Sequence, residues 1–406
     1  MRGFVTSKVH RSTHHGEDMT WIRELWPGLK ASDINEEHYA EFLRFADAQI
    51  EIFNSFCPEP SPIQNLFDAL RLVSVFQNEA NLTRQRAAEL AASMVATDGS
   101  VDSDQNTDLI WRCVELAARL WATLNIHIPS DASCMPASRN TPAVFPGQLS
   151  YVWVDDSTLQ AFVLGSLENR RQCSEQLFPL SQGTKLEPKC TMAYLFQAYD
   201  FRPHWTSNLA DHLKIDTDSR TITIYEHKIC LWNHILSARN RGQWNSPHGE
   251  TDPPPILSQS VLIEAIDTLN LLFPFGDEAT EAFLKRERKV TSFYGLGSCT
   301  RDRQLDTERY RFWRKEIEEI ASILSQPPRG KAQFLLDRDG TNSRDVWTFW
   351  TAIAFGVLAV IGVATGVYSA VYARKAFDVG VLQYQLALAQ ACSAENATDD
   401  LPGFCR

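Results

Sequence analysis

Seven side chains with metal-binding chemistry fall within about 45 residues of one another: His204, Asp211, His212, His227 and His234, flanked by Cys190 and Cys230. Imidazole and thiolate groups suit zinc, which takes four ligands in a tetrahedron, and a catalytic zinc also needs a general base for its bound water. The spacing argues against that use. His204 to His212 and His227 to His234 match neither the short ligand pairs of zinc modules nor an i, i+4 pair on one helix face, and no Glu is spaced from them as the base would be. The sequence therefore predicts core and surface histidines. A metal-dependent enzyme built on His204, His212, His227 and His234 is the alternative reading.

A second group is Gly295-Leu296-Gly297-Ser298-Cys299. It has glycines and a hydroxyl but lacks the third glycine of a dinucleotide loop and the lysine of a phosphate loop, so it reads as a turn. Cys299 has no basic partner nearby in sequence. Neither HExxH nor GxSxG occurs in a form whose mechanics would work. The expectation is a chain with no catalytic residue, no cofactor and no resident metal, and the balance is against an enzyme.

A net charge of -11, with no cluster of Lys and Arg interleaved with aromatics, opposes binding to a phosphate backbone. Nucleic acid is not an expected partner. At 44% hydrophobic and 22% charged the composition is globular, with enough chain for a proper core. Cys57, Cys113, Cys134, Cys173, Cys190, Cys230 and Cys299 are widely scattered without CxxC pairs, as suits reduced thiols.

The elements that would position these groups are mostly helical. Apolar residues recur at helical period over 36–56, 64–95 and 108–126, with Thr97 to Thr107 an acidic loop between the last two. Pro129 to Gly147, with four prolines, marks a subdomain boundary. Beyond it, Leu149 to Val154 and Thr221 to Tyr225 alternate as strands do, Asn245 to Pro255 reads as a loop, and helices return over 258–272 and 307–324. The expected class is α+β, predominantly helical, plus a C-terminal transmembrane helix. Its expected organisation is a flexible N-terminus (1–30), a helical subdomain (31–128), a mixed subdomain (148–326), a juxtamembrane linker (327–345), the span (346–372) and a tail (373–406).

The span, Val346 to Tyr372, has 27 uncharged residues. As a helix it extends roughly 40 Å against a hydrocarbon core of about 30 Å. Trp347 and Trp350 at one end, Tyr368 and Tyr372 at the other, and the bases Arg344, Arg374 and Lys375 give it interfacial flanks. The first residues carry no apolar targeting segment, so the expectation is that the preceding domain stays in the cytosol. Arg329, Lys331, Arg338 and Arg344 before the span outnumber Arg374 and Lys375 after it, in agreement. The expected location is the endoplasmic reticulum or plasma membrane rather than a mitochondrial one, since the span is long.

In that orientation the tail faces an oxidising side, where Cys392 and Cys405 are a candidate disulfide closing a loop of 14 residues. Such closure stabilises by about 3 kcal/mol in the chain-entropy model. Asn396 inside it begins a glycosylation sequon; that at Asn81 would stay unmodified on the cytosolic side. Gly362, Gly366 and Ala370 recur every four residues, a small-residue face that allows a second copy to pack closely. Val379 to Ala394 is again uncharged but carries Gln383, Gln385 and Gln390, and reads as an amphipathic interfacial segment. If it re-enters the bilayer, the chain ends in a two-helix hairpin suited to an oligomeric channel or pore component.

Five blocks, HWTSNLADHLKI from His204, FYGLGSC from Phe293, YRFWRKEI from Tyr310, DVWTFWTAIAF from Asp345 and QYQLALAQACSAENATDDLPGFC from Gln383, resemble a group of filamentous-fungal proteins without assigned activity. The resemblance implies a cytosolic domain on a C-terminal membrane helix and carries over no functional residue. Taken together, these features predict a membrane-anchored cytosolic interaction or scaffold module. Its expected partners are membrane lipid, a cytosolic protein and a second copy through the span.

Overall fold

The computed structural model describes residues 20–30, 32, 34–57, 61–79, 81–95, 103–128, 151–153, 156–177, 185–242, 255–326 and 343–393. The expected boundary at 129–147, nearly all of the loop at 245–255, the linker over 327–342, Asn396 and Cys405 lie outside them. The chain forms two compact units, Met1–Gln326 and Pro327–Arg406, so both expected subdomain segments fall in the first.

The helical part of that unit comprises α1 (Thr20–Leu25), α2 (Ala40–Ser55), α3 (Leu66–Gln77), α4 (Arg84–Val95) and α5 (Ser103–Ala122). Helical periodicity over 64–95 resolves into two helices because the chain breaks at Asn78, the C-cap of α3. The start of α3 is fixed by a reciprocal capping box between Asn65 and Asp68, which satisfies backbone donors at both ends of the pair. α5 starts inside the expected acidic loop, with an Asp108–Arg112 pair at 2.8 Å one turn apart on its surface. Trp21, Trp26, Tyr39 and Phe42 form an aromatic cluster, all buried, where α1 and α2 meet.

A two-residue parallel pair, β1 (Ile126–His127) with β2 (Tyr151–Val152), precedes α6 (Leu159–Leu177) and α7 (Met192–Tyr199). A three-stranded sheet follows in the order β3 (Arg202–Thr206), β5 (Thr221–Tyr225), β4 (Ile215–Asp216), with β3 parallel and β4 antiparallel to the central strand. β5 takes the centre because Ile222 and Ile224 point to the core at period two.

The strands feed α8 (Lys228–Asn240), which packs on α9 (Gln259–Leu272). α9 is buried from Val261 to Leu272 apart from Ile263, the mark of a helix covered on nearly every side. α10 (Glu278–Glu287) is capped by Asp277, whose Oδ2 accepts from Thr280 N at 2.8 Å, and ends at Arg288 in the left-handed region. A π-helical turn, Val290–Tyr294, comes next.

The expected helix over 307–324 is shorter than its pattern: α11 spans Arg314–Ser325. The reason lies in α9. Glu264 accepts the backbone N–H groups of Arg311, Phe312 and Trp313 at 2.8, 2.7 and 2.8 Å, so a side chain from another helix holds the three donors that precede α11.

The second unit contains α12 (Ser343–Cys392), 50 residues long. It runs unbroken through the expected span and makes no turn between Tyr372 and Val379, where a hairpin would reverse. Such a helix is roughly 75 Å long, more than twice the hydrocarbon thickness. It is long and apolar enough to cross a membrane, and only 6% of its most apolar window is buried.

Candidate functional site

The four histidines occupy four different environments. His204 is exposed on β3. His212, on the loop between β3 and β4, is fully buried and doubly bonded. Its Nδ1 accepts from Tyr225 N at 3.2 Å and its Nε2 lies 2.7 Å from Thr268 Oγ1. The Thr268 hydroxyl already donates to the Ala265 carbonyl, so His212 Nε2 must carry the proton. That tautomer spends both nitrogens on structure. His234, on α8, stands edge-on to Trp26 and hydrogen-bonds to the Trp121 backbone.

His227 caps no backbone group and has no hydrogen-bond partner on either ring nitrogen. Phe42, Phe45 and Tyr225 enclose it at centroid distances of 5.9, 5.3 and 5.5 Å. Burial pushes its pKa down to about 4 despite the adjacent Glu226, so the ring is neutral at pH 7. Among the described residues no three of His, Cys, Asp and Glu gather closely enough to hold a metal ion.

The densest arrangement of charge forms around Glu226, at the junction of β5 and α8. Lys289 Nζ reaches Glu226 Oε2 at 2.7 Å and Glu41 Oε2 at 2.9 Å, while Ser207 Oγ donates to Glu226 Oε1 at 2.6 Å. Glu41 also pairs with Arg44. Four parts of the chain converge here: the first turn of α2, Ser207 just after β3, the end of β5, and Lys289 just before the π-turn. Trp205 supplies a wall, with Lys289 Nζ 5.4 Å from its ring.

Burial pushes the Glu226 carboxyl up, while the adjacent His227, the hydrogen bonds from Lys289 and Ser207 and the Lys289 charge pull it below the ordinary range, the first of these acting only when the ring is charged. With His227 neutral, the pair that matters is Glu226 with Lys289. A carboxylate held low and tied to a lysine is a poor base at pH 7, so Ser207 gains no activation from it. The cluster is a latch between α2 and the sheet, with its charges compensated.

A second arrangement surrounds the Gly295–Cys299 turn. Lys228 is buried and donates to Asn270 Oδ1 at 2.9 Å and to the Gly297 carbonyl at 2.7 Å, and Asn270 Nδ2 donates to the Ser298 carbonyl at 2.9 Å. These bonds fix a backbone in which Gly297, Cys299 and Thr300 all have positive φ. Burial pushes the Lys228 ammonium down, with Cys299 nearby opposing, and burial raises the Cys299 thiol, with Lys228 opposing. The basic neighbour of Cys299 that sequence proximity lacks thus comes from α8, 71 positions upstream. The thiol is nonetheless buried and held in its protonated form, the reverse of a reactive cysteine.

α9 organises this half of the unit. Glu264 holds the start of α11, Asp267 pairs with Arg301 through two 2.6 Å bonds, Thr268 receives His212, and Asn270 holds Lys228 and the glycine turn. Burial pushes the Glu264 carboxyl up to about 7 against its three backbone donors. That value would suit general acid–base work, yet both its oxygens are occupied by N–H groups.

In the second unit, Gly362 and Gly366 have open space where a Cβ would stand. Cys392 is disulfide-bonded, while Cys57, Cys113, Cys190, Cys230 and Cys299 are free. The Glu41–Lys289–Glu226 latch escaped the sequence reading because its members lie far apart in the chain. A Glu–His dipeptide at the end of a strand was its one local trace. Comparison with protein-family models, with curated proteins and with solved structures finds no match.

Proposed function

We propose that this protein is a membrane-tethered interaction module, with its larger unit in the cytosol and α12 crossing the bilayer once. The observation that carries this reading is α12 itself, an apolar helix with solvent-facing side chains along its length. Water cannot stabilise that surface, whereas lipid can. Support for a binding role rather than catalysis comes from the larger unit, where the Glu226, Glu264, Asp267 and Lys228 side chains are engaged in holding loops and helix ends. The small-residue face at Gly362, Gly366 and Ala370 supports self-association within the membrane.

The test is membrane extraction combined with glycosylation mapping of the full chain. The protein is expected to resist alkaline carbonate and to carry sugar that Asn396→Gln removes and Asn81→Gln does not. Release by carbonate would overturn the tether, and sugar on Asn81 would reverse the orientation.

A further inference from the structure

A small cavity lies where α1, α3, α5 and α8 meet, outside the latch and the glycine turn. Its volume is about 20 Å³, and its lining includes Trp26, Gln77, His234, Ser237 and Ile256. Trp26 Nε1 and His234 Nε2, both from side chains that line it, lack a hydrogen-bond partner, and the Arg241 side chain forms another part of its wall. Trp26 and His234 are at least nine-tenths buried, at 1% and 8% exposure.

The two atoms are complementary. An indole nitrogen is always a donor. His234 has no bond at Nε2, so its bond to the Trp121 backbone is made by Nδ1; a backbone carbonyl there requires the proton on Nδ1 and leaves a lone pair at Nε2. The rings meet edge to face with centroids 5.9 Å apart. A cavity needs roughly 10–15 Å³ to hold one water and two to four polar partners to retain it. We infer that the cavity binds one water-sized hydroxylic molecule, which accepts from Trp26 Nε1–H and donates to His234 Nε2.

Its place in the fold gives the site a role. Gln77 Nε2 donates to the Leu25 carbonyl at 2.7 Å, Ser237 Oγ to that of Pro27 at 2.6 Å, and Asn240 Nδ2 to that of Gly28 at 2.8 Å. Side chains from α3 and α8 thus tie down the 25–28 segment, and the bound molecule adds a fourth link, from Trp26 to α8.

The experiment is nuclear magnetic resonance on the full, isotopically labelled chain in detergent micelles, with solvent water as the probe. A cross-peak from the Trp26 indole proton to a long-lived water is expected, together with a His234 ring protonated at Nδ1 and bare at Nε2 near pH 7. Trp26→Phe should abolish the site and shift the His234 Nε2 resonance toward that of a weaker acceptor. Absence of the cross-peak, or a proton on Nε2, overturns the proposal, and both are read on the unsubstituted protein whether or not the variant folds.

Discussion

α9 and α12 are both rich in Leu, Ile, Val and Ala, and they meet opposite surroundings. α9 is enclosed by protein, and the polar residues it carries, Glu264, Asp267, Thr268 and Asn270, each hold a neighbouring segment. α12 exposes Phe355, Leu358, Val360, Val363 and Val367 along its sides. A buried helix inside a protein can afford polar groups because neighbouring backbone and side chains satisfy them, whereas a helix facing lipid must be nearly free of them. Apolar composition alone does not separate the two. The number and spacing of polar residues within the apolar run does.

The contrast is broken most severely by placing the same charge in each helix. Ile266→Asp, at a fully buried position of α9, should destabilise the larger unit by about 3–5 kcal/mol, enough to unfold much of it in a denaturant titration of the detergent-solubilised chain. Val360→Asp in α12 should leave that titration unchanged and instead cost about 2.5–3.5 kcal/mol of membrane insertion, read as carbonate-extractable protein. Equal loss of stability in both variants would show that the distinction is wrong.

Removing a clamp sharpens the comparison. Glu264→Ala strands three N–H groups ahead of α11 and should lower stability by about 2–3 kcal/mol, with early amide exchange at Arg311 to Trp313. The same residue sets a pH dependence. Its pKa, raised from 4.5 to about 7, means that the folded state holds a proton the unfolded chain releases, so its contribution is full below 4.5 and lost as pH rises through 7. His227 and His234, each lowered from 6.5 to about 4, act in the opposite direction, and stability from them is lost as pH falls from 6.5 toward 4. Glu264→Gln should therefore make acid destabilisation between pH 7 and 5 steeper, by an amount on the order of 2 kcal/mol. A slope unchanged from the parent would place the Glu264 titration outside this range.

The smallest effect concerns the ring that forms no hydrogen bond. His227→Phe replaces two buried, unpartnered nitrogens by carbon within the cage of Phe42, Phe45 and Tyr225, and should stabilise the unit by about 1 kcal/mol at pH 7. Thermal unfolding of the two proteins side by side would measure it, and a clear loss would mean that His227 has a polar partner in solution.

Elements with strong local signals were legible. β5 coincides with the alternating run Thr221 to Tyr225, and α9 with the helical pattern after Ser258, whose hydroxyl accepts from Val261 N as the N-cap. The start of α11 was not, because the residues before Arg314 have helical periodicity and only the carboxylate of Glu264, 47 positions earlier, holds their N–H groups. The polar clusters failed for the same reason. Glu41, Glu226 and Lys289 are spread over more than half of the chain, and short-range spacing carries no information about their convergence.

What the sequence determines by itself is what depends on neighbours a few residues away: the helical periods, the strand alternation, the caps, and an uncharged run long enough to cross a bilayer. Those follow from backbone geometry and transfer free energies that each segment carries wherever it sits. Tertiary structure alone decided that His212 fills both nitrogens, that Lys228 stands beside Cys299, and that a latch joins α2 to the sheet. Such contacts are set by which distant side chains share a low-dielectric interior, where a polar group must find a partner or bear the cost of lacking one.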